Sequence, residues 1–222
     1  MTRLAAVLFD MDGTLVDSEK VWQIGLAELA AEYGGVLSET ARLRMVGTSM
    51  VESMTILHED LDQPWRDPQE SILRLEARVM ELFADGLVWR PGARELLAEL
   101  RAADVPTALV TATRRPLVEV ALRTLGRENF DAVVCGDEVT WGKPHPEPYL
   151  TAAALLNAPI ERCVAIEDSP TGVASARAAG ARVLAVPCEV DLSHLDGVAH
   201  APSLAGVDVA YLSRLVGPAA AK

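Results

Sequence analysis

Two carboxylates spaced two residues apart, Asp10 and Asp12, end an apolar run in the segment Leu4-Ala-Ala-Val-Leu-Phe-Asp10-Met-Asp12-Gly13-Thr14-Leu-Val-Asp17-Ser18-Glu19. An unbroken apolar run is the pattern of a strand buried on both faces. In extended chain, residues two apart point the same way, so both acids can face one site. Two carboxylates about 4 Å apart repel by roughly 4 kcal/mol at an effective dielectric near 20. A divalent cation turns that cost into attraction, and an all-oxygen ligand set suits Mg²⁺. Gly13 allows a sharp bend and a close approach of backbone to a ligand.

Three later positions carry complementary chemistry. Thr111 follows the apolar run Val105–Val110, and a hydroxyl with backbone N–H groups at Thr111 and Ala112 can hold phosphate oxygens. Thr113 adds a further candidate contact. Lys143 lies in the stiff loop Gly142-Lys143-Pro144-His145-Pro146, where one ammonium beside several acids would balance charge. Glu167 and Asp168 follow the run Cys163–Ile166. Capping of the next helix explains one acid after a strand, but not two. The histidines, His58, His145, His194 and His200, have no metal-site spacing.

The elements that must position these residues alternate regularly in the second part of the chain. Strands are expected at 105–110, 132–135, 163–166 and 182–186, with a weaker one at 198–201. Helices are expected at about 92–102, 116–125, 147–156, 171–179 and 207–215. Strand–helix alternation implies right-handed crossovers and a parallel sheet, whose ligands bind outside the carboxyl ends of the strands. Asp10, Thr111 and Glu167-Asp168 all fall at such ends. Residues 18–88 read instead as helices throughout. Val21, Ile24, Leu26, Leu29 and Ala30 recur at helical spacing up to Gly34-Gly35; further helices begin at Ser38 and Ser49, the first closing near Gly47. Asp67-Pro68 opens a long amphipathic helix bearing Ile72, Leu75, Val79, Leu82 and Phe83. The chain therefore reads as an α/β Rossmann-like parallel-sheet core, residues 1–17 and 89–222, with an all-helical domain, 18–88, inserted after the first strand.

Composition bounds the function. The chain has 222 residues, half of them apolar, and a net charge of −12. That charge argues against nucleic acid or an anionic membrane as partner, and a small anionic substrate would need local positive charge at its site. Cys135 and Cys163 lie in apolar runs and read as reduced core residues. No signal-peptide pattern and no membrane-length apolar run occurs, which points to the cytoplasm. The Ala-rich tail from Gly217 is expected to fray. Trp65 and Trp89 read as core or domain-interface residues. Protein partners and oligomeric state are not readable.

The string Phe9-Asp10-Met11-Asp12-Gly13-Thr14-Leu15-Val16-Asp17-Ser18 resembles the first motif of the haloacid dehalogenase-like superfamily, in its phosphatase version. Thr111, Lys143 and Glu167-Asp168 match its second, third and fourth motifs, and the resemblance runs from about residue 4 to 215. It implies a Mg²⁺-dependent phosphatase acting on a small phosphate monoester, such as a sugar or polyol phosphate. Asp10 would be the nucleophile and a metal ligand. Asp12 would be the general acid and base, ligating the metal through its backbone carbonyl. Asp168 would ligate Mg²⁺ directly, and Glu167 directly or through water. Thr111, Ala112 and Lys143 would hold the phosphate. In some relatives the Lys-Pro bond is cis, and Gly172 fits the family pattern of close packing. The helical insert would be a subfamily I cap that closes over the site and excludes water. Its candidate substrate residues are Glu19, Trp22, Arg44, Thr48, Ser49 and Arg78. A β-phosphoglucomutase-like isomerase is the alternative, weakened because Trp22 stands where those enzymes carry histidine and Gly47-Thr48-Ser49-Met50 lacks their arginine. A non-catalytic binding protein of the same fold is a third reading.

Overall fold

The computed structural model describes residues 4–45 and 48–217. The helix stop near Gly47 and the tail after Gly217 lie outside the described residues. The chain divides into two compact units, one of Met1–Asp17 with Leu87–Lys222 and one of Ser18–Gly86.

The smaller unit is helical: α1 (Glu19–Glu32), α2 (Glu39–Met45), α3 (Met50–Asp60) and α4 (Pro68–Ala84). Asp67 caps α4 by accepting from Gln69 N, and Pro68 occupies its first position, where no N–H is needed. Ile72, Leu75, Val79 and Phe83 form the buried stripe of α4. On α1 the buried residues are Gly25, Leu29 and Ala30, while Ile24 is half exposed. Gly25 sets this face, because a Cβ there would meet Leu75 Cδ1 at 2.9 Å and Val79 Cγ2 at 3.1 Å. Beneath these helices the buried His58 Nε2 and Tyr33 hydroxyl each meet Ser71 Oγ at 2.8 Å. Trp65 is not a core residue: it sits in the turn before α4 and is 76% exposed.

The larger unit carries β1 (Ala6–Phe9), α5 (Ala93–Ala102), β2 (Thr107–Val110), α6 (Arg115–Leu125), β3 (Ala132–Val134), α7 (Glu147–Leu155), β4 (Cys163–Glu167), α8 (Pro170–Ala179), β5 (Arg182–Ala185), β6 (Ala199–His200) and α9 (Val209–Leu215). Among the described residues the sheet has six strands, all parallel, in the order β3-β2-β1-β4-β5-β6. This is an α/β Rossmann-like fold. β2 begins at Thr107 rather than Val105, because Pro106 has no N–H to give the ladder; its carbonyl still accepts from Val7 N. β1 is buried at every position and lies between β2 and β4. The crossovers reverse direction there, which makes the carboxyl end of β1 the topological switch point of the sheet.

Alanines line much of one face of the sheet: Ala6, Ala108, Ala132, Ala165 and Ala185 from strands, Ala152, Ala153 and Ala176 from α7 and α8. Small side chains on both sides let these two helices approach the strands closely. Tyr149 of α7 is the one bulky aromatic residue in that cluster.

Candidate active site

Register brings the acids together. Phe9 pairs with Leu109 on one side and Ile166 on the other, so the next step puts Asp10, Val110 and Glu167 level at the sheet rim. Asp10 N donates to Ile166 O at 3.0 Å, which carries the ladder to this point. Gly13 then turns the chain with φ +76°, and a Cβ there would lie 2.0 Å from Asp168 Oδ2. Only glycine lets the loop after β1 lie so close to that carboxylate.

Lys143 is the centre of the charge arrangement. Its side chain is 6% exposed and its ammonium donates to Asp10 Oδ1 at 2.7 Å, Glu167 Oε1 at 2.6 Å and Val110 O at 3.0 Å. These three acceptors use all three ammonium protons. The Lys143-Pro144 peptide is cis. Burial favours the neutral amine, but the Asp10 and Glu167 carboxylates outweigh it and hold the group charged, its pKa above the ordinary lysine value.

Glu167 is fully buried. Besides Lys143, Tyr149 donates its hydroxyl to Oε1 at 2.6 Å, and Ser169 donates to Oε2 at 3.1 Å. Ser169 Oγ also accepts from Gly172 N at 3.1 Å and so caps α8. The carboxylate lies flat on the helix start: a Cβ on Gly172 would fall 1.9–2.0 Å from Oε1, Cδ and Oε2. Tyr149 itself is fully buried, and burial pushes its hydroxyl well above the usual tyrosine pKa, so it stays a donor.

Asp10, Glu167 and Asp168 each present a carboxylate oxygen within 4.8 Å of the others, a set that could hold a metal ion. Asp10 Oδ2 is buried without a hydrogen-bond partner. Burial raises the Asp10 pKa to about 7, against the lowering effect of Lys143; the negative charges of Glu167 and Asp12 add to the rise. An orphaned, buried carboxylate oxygen in an all-oxygen group is what a hard divalent cation would satisfy.

The Asp12 carboxylate stands outside that group. Its Oδ2 accepts from Thr111 Oγ1 at 3.1 Å and from Thr113 Oγ1 at 2.7 Å. Thr111 Oγ1 also accepts from Thr113 N at 3.0 Å. The two hydroxyls expected at a phosphate are therefore directed onto Asp12, with exposed Ala112 between them at the rim.

Apart from Glu19, the candidates of the helical unit have partners within that unit. Glu19 opens α1. Trp22 packs edge-on against Phe83, centroids 6.3 Å apart. Arg44 reaches Glu59, and Arg78 pairs with Glu28 and Glu81. Ser49 caps α3, and Thr48 bonds Met45 O and Ser53. Sequence reasoning missed Tyr149 and the double role of Ser169; the only signal for the first was a tyrosine six residues beyond Lys143.

The family model described as haloacid dehalogenase-like hydrolase matches residues 4–180. A phosphorylated carbohydrates phosphatase from Thermotoga maritima is 36% identical, over 80% of this chain and 82% of its own length. Hexitol phosphatase B of Escherichia coli K12 is 32% identical, over 83% and 84%. Among solved structures, CbbY from Rhodobacter sphaeroides in complex with phosphate superposes with a TM-score of 0.80 at 29% identity, covering 94% of this chain and 99% of that one.

Proposed function

Starting from the fact that this chain belongs to the haloacid dehalogenase-like hydrolases and is a phosphoric monoester hydrolase, we propose that it hydrolyses a small sugar or polyol phosphate through a covalent intermediate on Asp10. The observation that carries this reading is the pairing at the end of β1: a buried ammonium on Asp10 Oδ1, and an Asp10 Oδ2 without a partner beside Glu167 and Asp168.

Asp10, Asp168 and the Asp12 backbone carbonyl would hold Mg²⁺, with Glu167 nearby. When bound, the ion neutralises the acids and the phosphoryl oxygens. Asp10 attacks phosphorus; the P–O bond to Asp10 forms as the ester P–O bond breaks. Asp12 gives its proton to the leaving alkoxide, then takes one from the water that attacks the aspartyl phosphate, releasing inorganic phosphate and restoring Asp10. Thr111 and Thr113 orient the Asp12 carboxylate for both transfers, and Ala112 on the rim between them receives the phosphoryl group. Lys143 offsets the negative charge that gathers there.

The helical unit, Ser18–Gly86, is the substrate-selecting cap in this reading. The phosphatase names of the two relatives favour hydrolysis over isomerisation. Phosphate release from p-nitrophenyl phosphate and a hexose- and hexitol-phosphate panel tests the proposal. Turnover with added Mg²⁺, lost in EDTA and in Asp10→Asn, is expected; a folded protein that releases no phosphate from any ester sinks it. Interconversion of glucose 1- and 6-phosphates without release would install the isomerase instead.

A further inference from the structure

The geometry points to Tyr149 as a positioning residue for Lys143, acting through Glu167. Its consequence for turnover rests on the phosphatase reading; the geometric claim does not.

One carboxylate oxygen, Glu167 Oε1, takes two donors at 2.6 Å each, the Lys143 ammonium and the Tyr149 hydroxyl. The two donors reach it from the same loop–helix segment but are held very differently. Lys143 ends a four-carbon stem with four rotatable torsions, placed only by the acceptors at its tip. Tyr149 stands on α7, fully buried among the alanines of the sheet face. Its ring also lies under the ammonium, with Nζ 5.3 Å from the centroid, within the range of cation–π attraction. The rigid member of the pair is therefore the tyrosine.

A tyrosine serving only to fill the core would leave its hydroxyl facing a backbone carbonyl or solvent, and phenylalanine would fill the same space. Here the hydroxyl fixes the rotation of a buried carboxylate. With both donors present, Oε1 is held toward Lys143 and Tyr149, and Oε2 toward Ser169. Without the hydroxyl, Oε1 is held by Lys143 alone, and the carboxylate can turn about its last bond with Ser169 as the pivot. The ammonium then follows Glu167 and loses its fixed approach to Asp10. Misplacement of a group that stabilises transferring charge lowers the rate of the chemical step more than it weakens substrate binding.

The test uses the full chain labelled with ¹⁵N. There are only three lysines, Lys20, Lys143 and Lys222. A slowly exchanging ammonium signal that vanishes in Lys143→Arg reports this group directly. In Tyr149→Phe its proton exchange should accelerate about tenfold or more; kcat should fall about tenfold with KM changed less than twofold. In a Glu167→Gln background the same substitution should change neither quantity further, since its effect passes through that carboxylate. Unchanged ammonium exchange, or equal effects of Tyr149→Phe in both backgrounds, overturns the proposal. If the wild-type protein hydrolyses no ester, the phosphatase reading fails, while ammonium exchange still decides the positioning claim. Should Tyr149→Phe not fold, incorporation of 3-fluorotyrosine, a stronger donor of nearly the same shape, must slow the exchange; no change refutes the claim.

Discussion

Gly172→Ala should disable the site without touching any of its reacting atoms. The added methyl would sit 1.9–2.0 Å from three atoms of the Glu167 carboxylate, far inside van der Waals contact. Relief requires a shift of more than 1 Å, roughly the difference from an ordinary C···O contact. The carboxylate cannot make that shift freely. It is fully buried, and Lys143, Tyr149 and Ser169 all donate to it. Hydrogen bonds to charged groups are worth about 1.5–3 kcal/mol each, and overpacking a filled core costs about 1–3 kcal/mol. Losing one such bond and absorbing the overlap gives a destabilisation of about 2.5–6 kcal/mol, a fall in Tm of roughly 5–24 °C for a chain of this size. A misplacement of about 1 Å in a charge-stabilising group costs on the order of 100-fold in kcat/KM. Thermal unfolding by circular dichroism and steady-state hydrolysis of p-nitrophenyl phosphate measure the two effects. A Gly172→Ala protein with wild-type Tm and wild-type kcat/KM would refute the claim that Glu167 is wedged against the start of α8. Normal activity with a lowered Tm would refute only the link between Glu167 placement and turnover.

The Asp10 carboxyl has a folded pKa raised to about 7, so the metal-free folded state holds a proton that the unfolded chain releases near pH 4. The stability this contributes is present below about pH 4 and is lost as pH rises through 7; metal-free wild type should therefore lose stability relative to Asp10→Asn over that range, as followed by urea titration. Mg²⁺ competes with the same proton, so the Tm increase it produces should be large at pH 8 and shrink toward pH 5.5. Lys143→Met leaves Asp10 and Glu167 buried without their cation, which should cost about 3–5 kcal/mol and abolish turnover; Lys143→Arg should not restore it, because a planar fork cannot meet three acceptors arranged for an ammonium. In the helical unit, Ser71→Ala strands the buried His58 and Tyr33 groups that meet on its hydroxyl, and urea unfolding should show a loss of about 2 kcal/mol.

How much of this was legible in the chain follows from what each residue type costs to bury. Asp10, Lys143, Glu167 and Asp168 stand at the ends of apolar runs or in a stiff loop, where a charge is expensive without a partner. Their positions alone therefore imply that they meet, and the parallel sheet that gathers them was readable from the strand–helix alternation. Pro106 shortened β2 for a reason the sequence also contained. Tyr149 carried no such mark. In Glu147-Pro148-Tyr149-Leu150 it has the spacing of an ordinary core residue, since an aromatic ring is cheap to bury and its hydroxyl can be satisfied in many ways. Ser169 was ambiguous for a different reason. Its place after a strand reads as that of a helix cap, yet one hydroxyl also supports the acids, accepting from Gly172 N while donating to Glu167 Oε2. The two roles require each other: the cap fixes where the helix starts, and the helix start at Gly172 is the surface against which the carboxylate lies. Chemistry that depends on charge announces itself in a sequence, whereas the neutral donors that aim the charge become visible only once the backbone brings them within hydrogen-bond distance.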